Sequence, residues 1–221
     1  MTSKGFQLTE RDVEILQFIN LFGFCEMPQL LARFGWRKPR NYQIMKKLLT
    51  AGLVKHERVF HGQHGIYRLT PAGARHSGLP PLSKVPLASY AHDVRVIELY
   101  LALRQQYPGV QWVSERELKH EKYFTGVGKR GHLSDGLLIF EDGKQVALEV
   151  ELTLKSKSRL EKILKEYGTQ FSIKEVWYYG PPAVATTVRE LVTRLKLSFV
   201  KVFDLHESLH HESTRRLDAV N

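Results

Sequence analysis

The stretch His132–Leu160, HLSDGLLIFEDGKQVALEVELTLKSKSRL, decides how this chain folds. Two apolar runs, HLSDGLLIF and QVALEVEL, flank the turn residues EDGK, which is the pattern of a β-hairpin. Charge interrupts the pattern at Asp135, Glu149, Glu151 and Lys155. A carboxylate inside a sheet costs free energy unless it is paired or bound to a metal. Glu149 and Glu151 are two apart, so in a strand both emerge on the same face. Asp135 opens the partner strand, and a short hairpin brings it beside Glu149. Carboxylates so clustered repel one another and raise their pKa values unless a divalent cation sits between them. Mg²⁺ or Mn²⁺ takes such hard oxygen ligands. A metal-bound water aimed at a phosphodiester is a hydrolytic nucleophile, and Lys155 would offset the charge developing on the phosphorane. The alternative places Glu149 and Glu151 on a solvated face of an edge strand.

The rest of the C-terminal half alternates helical and strand patterns. SYAHDVRVIELYLALRQQYPG reads as a helix with His92, Val96, Leu99, Tyr100 and Leu103 close to one face, and VQWVSE as a strand. Beyond the hairpin come a helix over SKSRLEKILKEYG, capped at Ser156 or Ser158, and a strand, EVWYYG. The helix PAVATTVRELVTRLKL, with Pro182 near its start, and the strand FVKVFDL follow. The order α-β-β-β-α-β-α-β predicts an open mixed sheet with helices on both faces.

The N-terminal part reads differently. LTERDVEILQFINLFG opens with Thr9 as N-cap and Asp12 three residues on, and CEMPQLLARFG gives a short helix with Pro28 in its first turn and Gly35 as its stop. RKPRNYQIMKKLLTAG gives a third helix, with Ile44, Leu48 and Leu49 facing inward. Two strands, LVKHERVF and GIYRLT, are joined by HGQHG, and TPAGARHSG begins another short helical piece. Three helices followed by a β-hairpin is the order of a winged helix-turn-helix. Its third helix would enter the major groove with Arg37, Lys38, Arg40, Asn41, Gln43, Lys46 and Lys47, while Arg58 and Arg68 on the wing would touch backbone or minor groove.

Charge supports that assignment. The 221-residue chain carries +10, and Met27–Pro80 holds ten Lys and Arg against a single acid, Glu57. A surplus concentrated in one segment points to a polyanionic partner, double-stranded DNA, rather than to a generally basic surface. The same charges on a protein-binding winged helix would be a solvated face. The lone Cys25 excludes an internal disulfide and fits a reducing cytoplasm. No apolar run approaches the length of a bilayer span, so no membrane insertion is expected. The expected organisation is therefore α+β with two domains: a winged helix over 1–80, a Pro-rich linker over 81–88, an α/β domain over 89–205 and a polar tail over 206–221 that includes His206, His210 and His211.

An acid at a strand start, a hairpin, Glu-x-Glu and a Lys inside an α-β-β-β-α-β core resemble the PD-(D/E)xK nucleases, whose sheet is restriction-endonuclease-like. More narrowly, HDVRVIELYLAL, SDG and EVELTLKSKSRLEKILKEY behind a winged helix resemble the replication-relaxation family from Leu8 to about Leu205. That family includes MobC-type plasmid mobilisation proteins, some of which act as relaxases. The resemblance implies Asp135 and Glu149 as metal ligands, Glu151 in the position of the usual Lys, and His92 as the family's histidine on the first helix. It also implies a plasmid origin as target, a role in conjugation and replication, mobilisation or coupling proteins as partners, and a homodimer. Two functions stand side by side: an endonuclease that uses Mg²⁺ or Mn²⁺ to nick one strand, and an accessory DNA-binding protein whose nuclease-like domain serves dimerisation or docking.

Overall fold

The computed structural model describes residues 7–125 and 132–210, with side chains described over 7–121 and 132–210. The chain divides into two compact units, Met1–Tyr90 and Ala91–Asn221. It is mixed α+β, helical with a small sheet in the first unit and built on a five-stranded mixed sheet in the second.

In the first unit α1 (Glu10–Phe22) starts at a reciprocal cap. The Thr9 hydroxyl accepts from the Asp12 N–H, and the Asp12 carboxylate accepts from the Thr9 N–H. Next come β1 (Cys25–Glu26), α2 (Met27–Phe34), α3 (Arg40–Thr50), β2 (Val54–Glu57), β3 (Ile66–Leu69) and α4 (Pro71–Ala74). The strands form an antiparallel sheet in the order β1-β3-β2. Ile15, Leu16 and Ile19 of α1 share a buried core with Leu30, Met45, Leu48, Ile66 and Leu69. β1, two residues long, is too short for any alternation to reveal. Cys25 lies fully buried on it, and its thiol pKa is pushed well up by that burial.

The Pro-rich stretch expected as a linker is laid on this unit instead. Asn20 Nδ2 donates to Leu79 O at 2.7 Å, Arg68 Nη1 donates to the carbonyls of Leu82 and Ser83 at 2.8 and 2.9 Å, and Val85 is buried. Prolines deny the segment a ladder of its own, so side chains of the unit satisfy its carbonyls.

The second unit runs α5 (Tyr90–Gln106), β4 (Gln111–Ser114), α6 (Glu115–Thr125), β5 (Gly136–Ile139), β6 (Gln145–Val150), α7 (Lys157–Tyr167), β7 (Ile173–Gly180), α8 (Pro182–Leu195) and β8 (Val200–Asp204), and residues 205–210 are helical. The sheet order is β4-β5-β6-β7-β8. The first three strands form an antiparallel meander, and β6, β7 and β8 run parallel through the crossover helices α7 and α8. The sequence pattern missed α6, whose residues ERELKHEKYFT carry no clear apolar stripe. Its start was nonetheless written in Ser114 and Glu117. The Glu117 carboxylate accepts from the Ser114 N–H at 2.7 Å, while the Ser114 hydroxyl accepts from the Glu117 N–H.

Two glycines shape the hairpin that carries the acids. Gly143 takes φ +80° in the β5–β6 turn, where its N–H donates to Phe140 O at 2.9 Å. At Gly136 a Cβ would sit 2.6 Å from the Trp112 indole, so the absence of a side chain lets that ring cross the start of β5. On one sheet face Ala147, Val176 and Tyr178 pack beneath Leu160, Ile163 and Leu164 of α7 and Val184, Val188 and Leu191 of α8. Val192 and Leu195 are partly buried against the same cluster. Leu191→Ala should therefore cost about 2–5 kcal/mol in chemical denaturation. A change within about 0.5 kcal/mol would place Leu191 at the surface.

Candidate functional site

β6 is paired on both edges, and its residues Val146–Val150 are all buried. The solvated edge strand is thereby corrected: Glu149 is 2% exposed and Glu151 8%. Gly136 pairs with Leu148, which sets Asp135 opposite Glu149 at the same end of the sheet. The Asp135 N–H donates to Leu148 O at 3.0 Å, and its Oδ2 accepts from the Val150 N–H at 2.8 Å. Just past the strand, the Glu151 N–H donates to Tyr179 O at 2.9 Å and prolongs the parallel ladder.

Each acid is answered by its own partners. His92, in the first turn of α5, places Nε2 3.2 Å from Asp135 Oδ2 and 3.1 Å from Val150 O, with Nδ1 3.1 Å from Asp93 Oδ1. Burial lowers the His92 pKa, but hydrogen bonds to Asp135 and Asp93 outweigh it and raise the value to about 10. As an imidazolium it donates through both nitrogens. Glu149 Oε1 receives His132 Nε2 at 2.7 Å and the Tyr167 hydroxyl from the last turn of α7. Burial pushes the Glu149 pKa up, His132 pulls it down and the Asp135 charge pushes it up again, with a net rise. His132 is raised in turn, chiefly by its bond to Glu149. Glu151 Oε2 accepts from Lys155 Nζ and from the Tyr178 hydroxyl at 3.2 Å. The Tyr178 pKa is driven up by burial first, then by the charges of Glu151 and Glu149.

The structure thus brings together all five residues singled out for chemistry: His92, Asp135, Glu149, Glu151 and Lys155. Sequence reading missed His132, Tyr167 and Tyr178. His132 and Asp135 both precede β5, and a histidine three residues before the acid that opens a strand was the one available signal. Tyr167 and Tyr178 gave none, because a tyrosine amid apolar positions looks like core until its hydroxyl has a partner.

The oxygens of Asp135, Glu149 and Glu151 have the right chemistry for Mg²⁺ or Mn²⁺. Their arrangement does not fit as it stands. Asp135 faces His92, Glu149 faces His132 and Glu151 faces Lys155, so three acids are matched by three bases. Among the described residues no group of three or more His, Cys, Asp or Glu is placed to hold a metal ion. These bonds fall on a single oxygen of each acid, Asp135 Oδ2, Glu149 Oε1 and Glu151 Oε2.

The residues expected to meet DNA separate into two groups. Arg37, Lys38, Arg40, Gln43, Lys46 and Arg58 are exposed. On α3, Arg40, Gln43 and Lys46 form a stripe opposite the inward-facing Asn41, Ile44, Met45 and Leu48. Three expectations are corrected. Asn41 is fully buried, with Nδ2 3.6 Å from Met27 Sδ. Lys47 reaches inward to Asp12, a fully buried carboxylate that the unit must neutralise. Arg68 binds both oxygens of Glu57 at 2.9 Å and is 9% exposed. The His206–Asn221 tail is helical over 206–210, and His211 onward lies outside the described residues. Among the described residues no helix is long and apolar enough to cross a membrane.

Comparison with family models, curated proteins and solved structures returns no match for this chain.

The acid–base cluster makes stability depend on pH with a definite sign. The folded His92 binds its proton more tightly than the unfolded one, so its contribution is complete below about pH 6.5. It is lost as the pH rises through about 10. His132 and Glu149 shift the same way. His92→Gln should therefore cost most stability near pH 6 and little above pH 10, read as denaturation midpoints across that range. Wild type and variant curves that stay parallel would remove His92 from the cluster's energetics.

Proposed function

We propose that the chain is a double-stranded-DNA-binding protein of the replication-relaxation type, acting at a plasmid origin in mobilisation or replication. On this reading the first unit is a winged helix whose α3 enters the major groove, and the second is a PD-(D/E)xK-like module. One observation carries it: Arg37, Lys38, Arg40, Gln43 and Lys46 stand exposed around one helix, while the neighbouring acids Asp12 and Glu57 are already taken by Lys47 and Arg68. The free charge is left to a polyanion. Arg and Gln offer the donors and acceptors that read guanine and adenine edges, and the lysines suit phosphates.

A second reading makes the protein an endonuclease that nicks one strand with Mg²⁺ or Mn²⁺. It is favoured by Asp135 standing opposite Glu149, with Glu151 on the same face, in a succession α5-β4-β5-β6-α7-β7 that differs from the nuclease core only by the insertion of α6. Against it stands the pairing of every carboxylate with its own base. The module would then serve docking or dimerisation.

Titration of an origin duplex by fluorescence anisotropy tests the first reading. Each phosphate neutralised should steepen the log–log salt dependence by about 0.9. Arg40→Ala and Lys46→Ala should each weaken binding and lower the slope by about 1, with melting temperature unchanged. An affinity indifferent to salt, or none for any duplex, would sink it.

Incubation of supercoiled plasmid carrying the origin decides the second. Nuclease action predicts open-circular product only with Mg²⁺ or Mn²⁺, abolished in Asp135→Asn and Glu149→Gln while duplex affinity stays within about twofold. Intact supercoils, together with no Mn²⁺ binding by calorimetry, would leave the module without this chemistry.

A further inference from the structure

The second unit carries cations that its own acids do not use. Between Leu152 and Lys165 the chain holds Lys155, Lys157, Arg159, Lys162 and Lys165 against one acid, Glu161. Lys155 is bound to Glu151, and Lys165 and Arg194 share Glu161 at 2.7 and 3.0 Å. Lys162 comes only within 4.0 Å of Glu166, and its side chain is 78% exposed. Lys157 and Arg159, exposed in the first turn of α7, have no carboxylate within salt-bridge distance among the described residues. We propose that this start of α7 holds the phosphodiester backbone of double-stranded DNA, a contact of the second unit in addition to the one assigned to α3.

A stripe that served only solubility would be paired off along its own helix, as Lys165 is with Glu161 four residues before it. Arg159 and Lys162 are instead three apart on one helix face, so both charges can meet one stretch of backbone. Hydroxyls stand among the cations. Ser156 and Ser158 are exposed with their oxygens 3.3 Å apart, and the Ser156 hydroxyl accepts from the Arg159 N–H. Phosphate oxygens accept from lysine, arginine and serine alike, and such contacts position a protein on a duplex without reading its sequence. The exposed residues of 156–162 are serine, lysine and arginine alone, with no apolar centre of the kind that anchors a protein partner. Nor do the carboxylates of the sheet repel a polyanion here, because His92, His132 and Lys155 already answer Asp135, Glu149 and Glu151.

The contact rests on the DNA-binding reading above and extends it to the second unit. Anisotropy titration of the full chain with duplexes of several sequences, across a salt series, tests it. The variants are Lys157→Ala and Arg159→Ala, with Lys119→Ala as control, since Lys119 is already paired with Glu115 at 2.7 Å on α6. Lys157→Ala and Arg159→Ala should each lower the log–log salt slope by about 0.9, with melting temperature unchanged. Their loss of affinity should be uniform across sequences, as befits phosphate contacts. Lys119→Ala should keep the wild-type slope. Wild-type slopes in both α7 variants, or a fall no larger than that of Lys119→Ala, overturn the inference. A fall in Arg40→Ala and Lys46→Ala on the same titration then leaves the α3 reading standing. A fall in the α7 variants with none in the α3 variants sustains the inference and overturns that reading. Wild-type affinity for an unpaired oligothymidylate but for no duplex overturns both.

Discussion

The second unit depends on keeping Glu149 in the central strand of its sheet. A carboxylate with both strand edges paired and a helix over its face has almost no water, and an isolated charge there is untenable. The surrounding architecture answers that one demand. His132 arrives from the segment before β5, and the Tyr167 hydroxyl arrives from the end of α7. Asp135, held by the Val150 N–H, adds a second charge that must be answered by His92 from α5. Two helices and the lead-in to a strand are therefore fixed to the same end of the sheet by electrostatics as well as by packing. Glu175 shows the contrast within the same sheet. Its side chain keeps 18% exposure; burial is the largest single effect and raises its pKa, but Lys144, Lys201 and Trp177 together outweigh it and hold the value at about 2. The same residue type is driven in opposite directions by depth and by the kind of partner.

The first unit solves a similar problem more cheaply. Asp12 is buried because it serves as half of a helix cap, and Lys47 leaves the exposed stripe of α3 to neutralise it. Arg68 is likewise spent on Glu57 and on the proline-rich segment. The surplus positive charge is sorted into cations that hold the unit together and cations left facing solvent, and formal net charge alone does not distinguish them.

Much of this was legible in residues. The capping pair Thr9 and Asp12, the stop at Gly35, the hairpin around Gly143 and the inward face of α3 all follow from local chemistry, and they came out where pattern places them. The facing of Asp135 and Glu149 was legible too, because hairpin register is set by a short turn. What was not legible depends on distance along the chain. Asn41 looks like a base-reading amide until the helix phase turns it inward. Lys47 and Arg68 look free until Asp12, 35 residues away, and the segment at Leu82 claim them. The polar α6 has no stripe to betray it, and Tyr178 reaches Glu151 only through a parallel crossover. Periodicity reports which way a side chain points, not what meets it there.

The mixed sheet has a consequence for how the chain is made. β4, β5 and β6 are antiparallel neighbours in sequence, whereas β7 pairs with β6 only after α7 has been laid across. During synthesis the meander can close while the second edge of β6 still faces water, and at that stage the Glu149 charge is hydrated. Its desolvation waits for Tyr167 and β7, which emerge later from the ribosome. The most expensive residue of the sheet is thus committed late, once most of the favourable contacts that offset it are available.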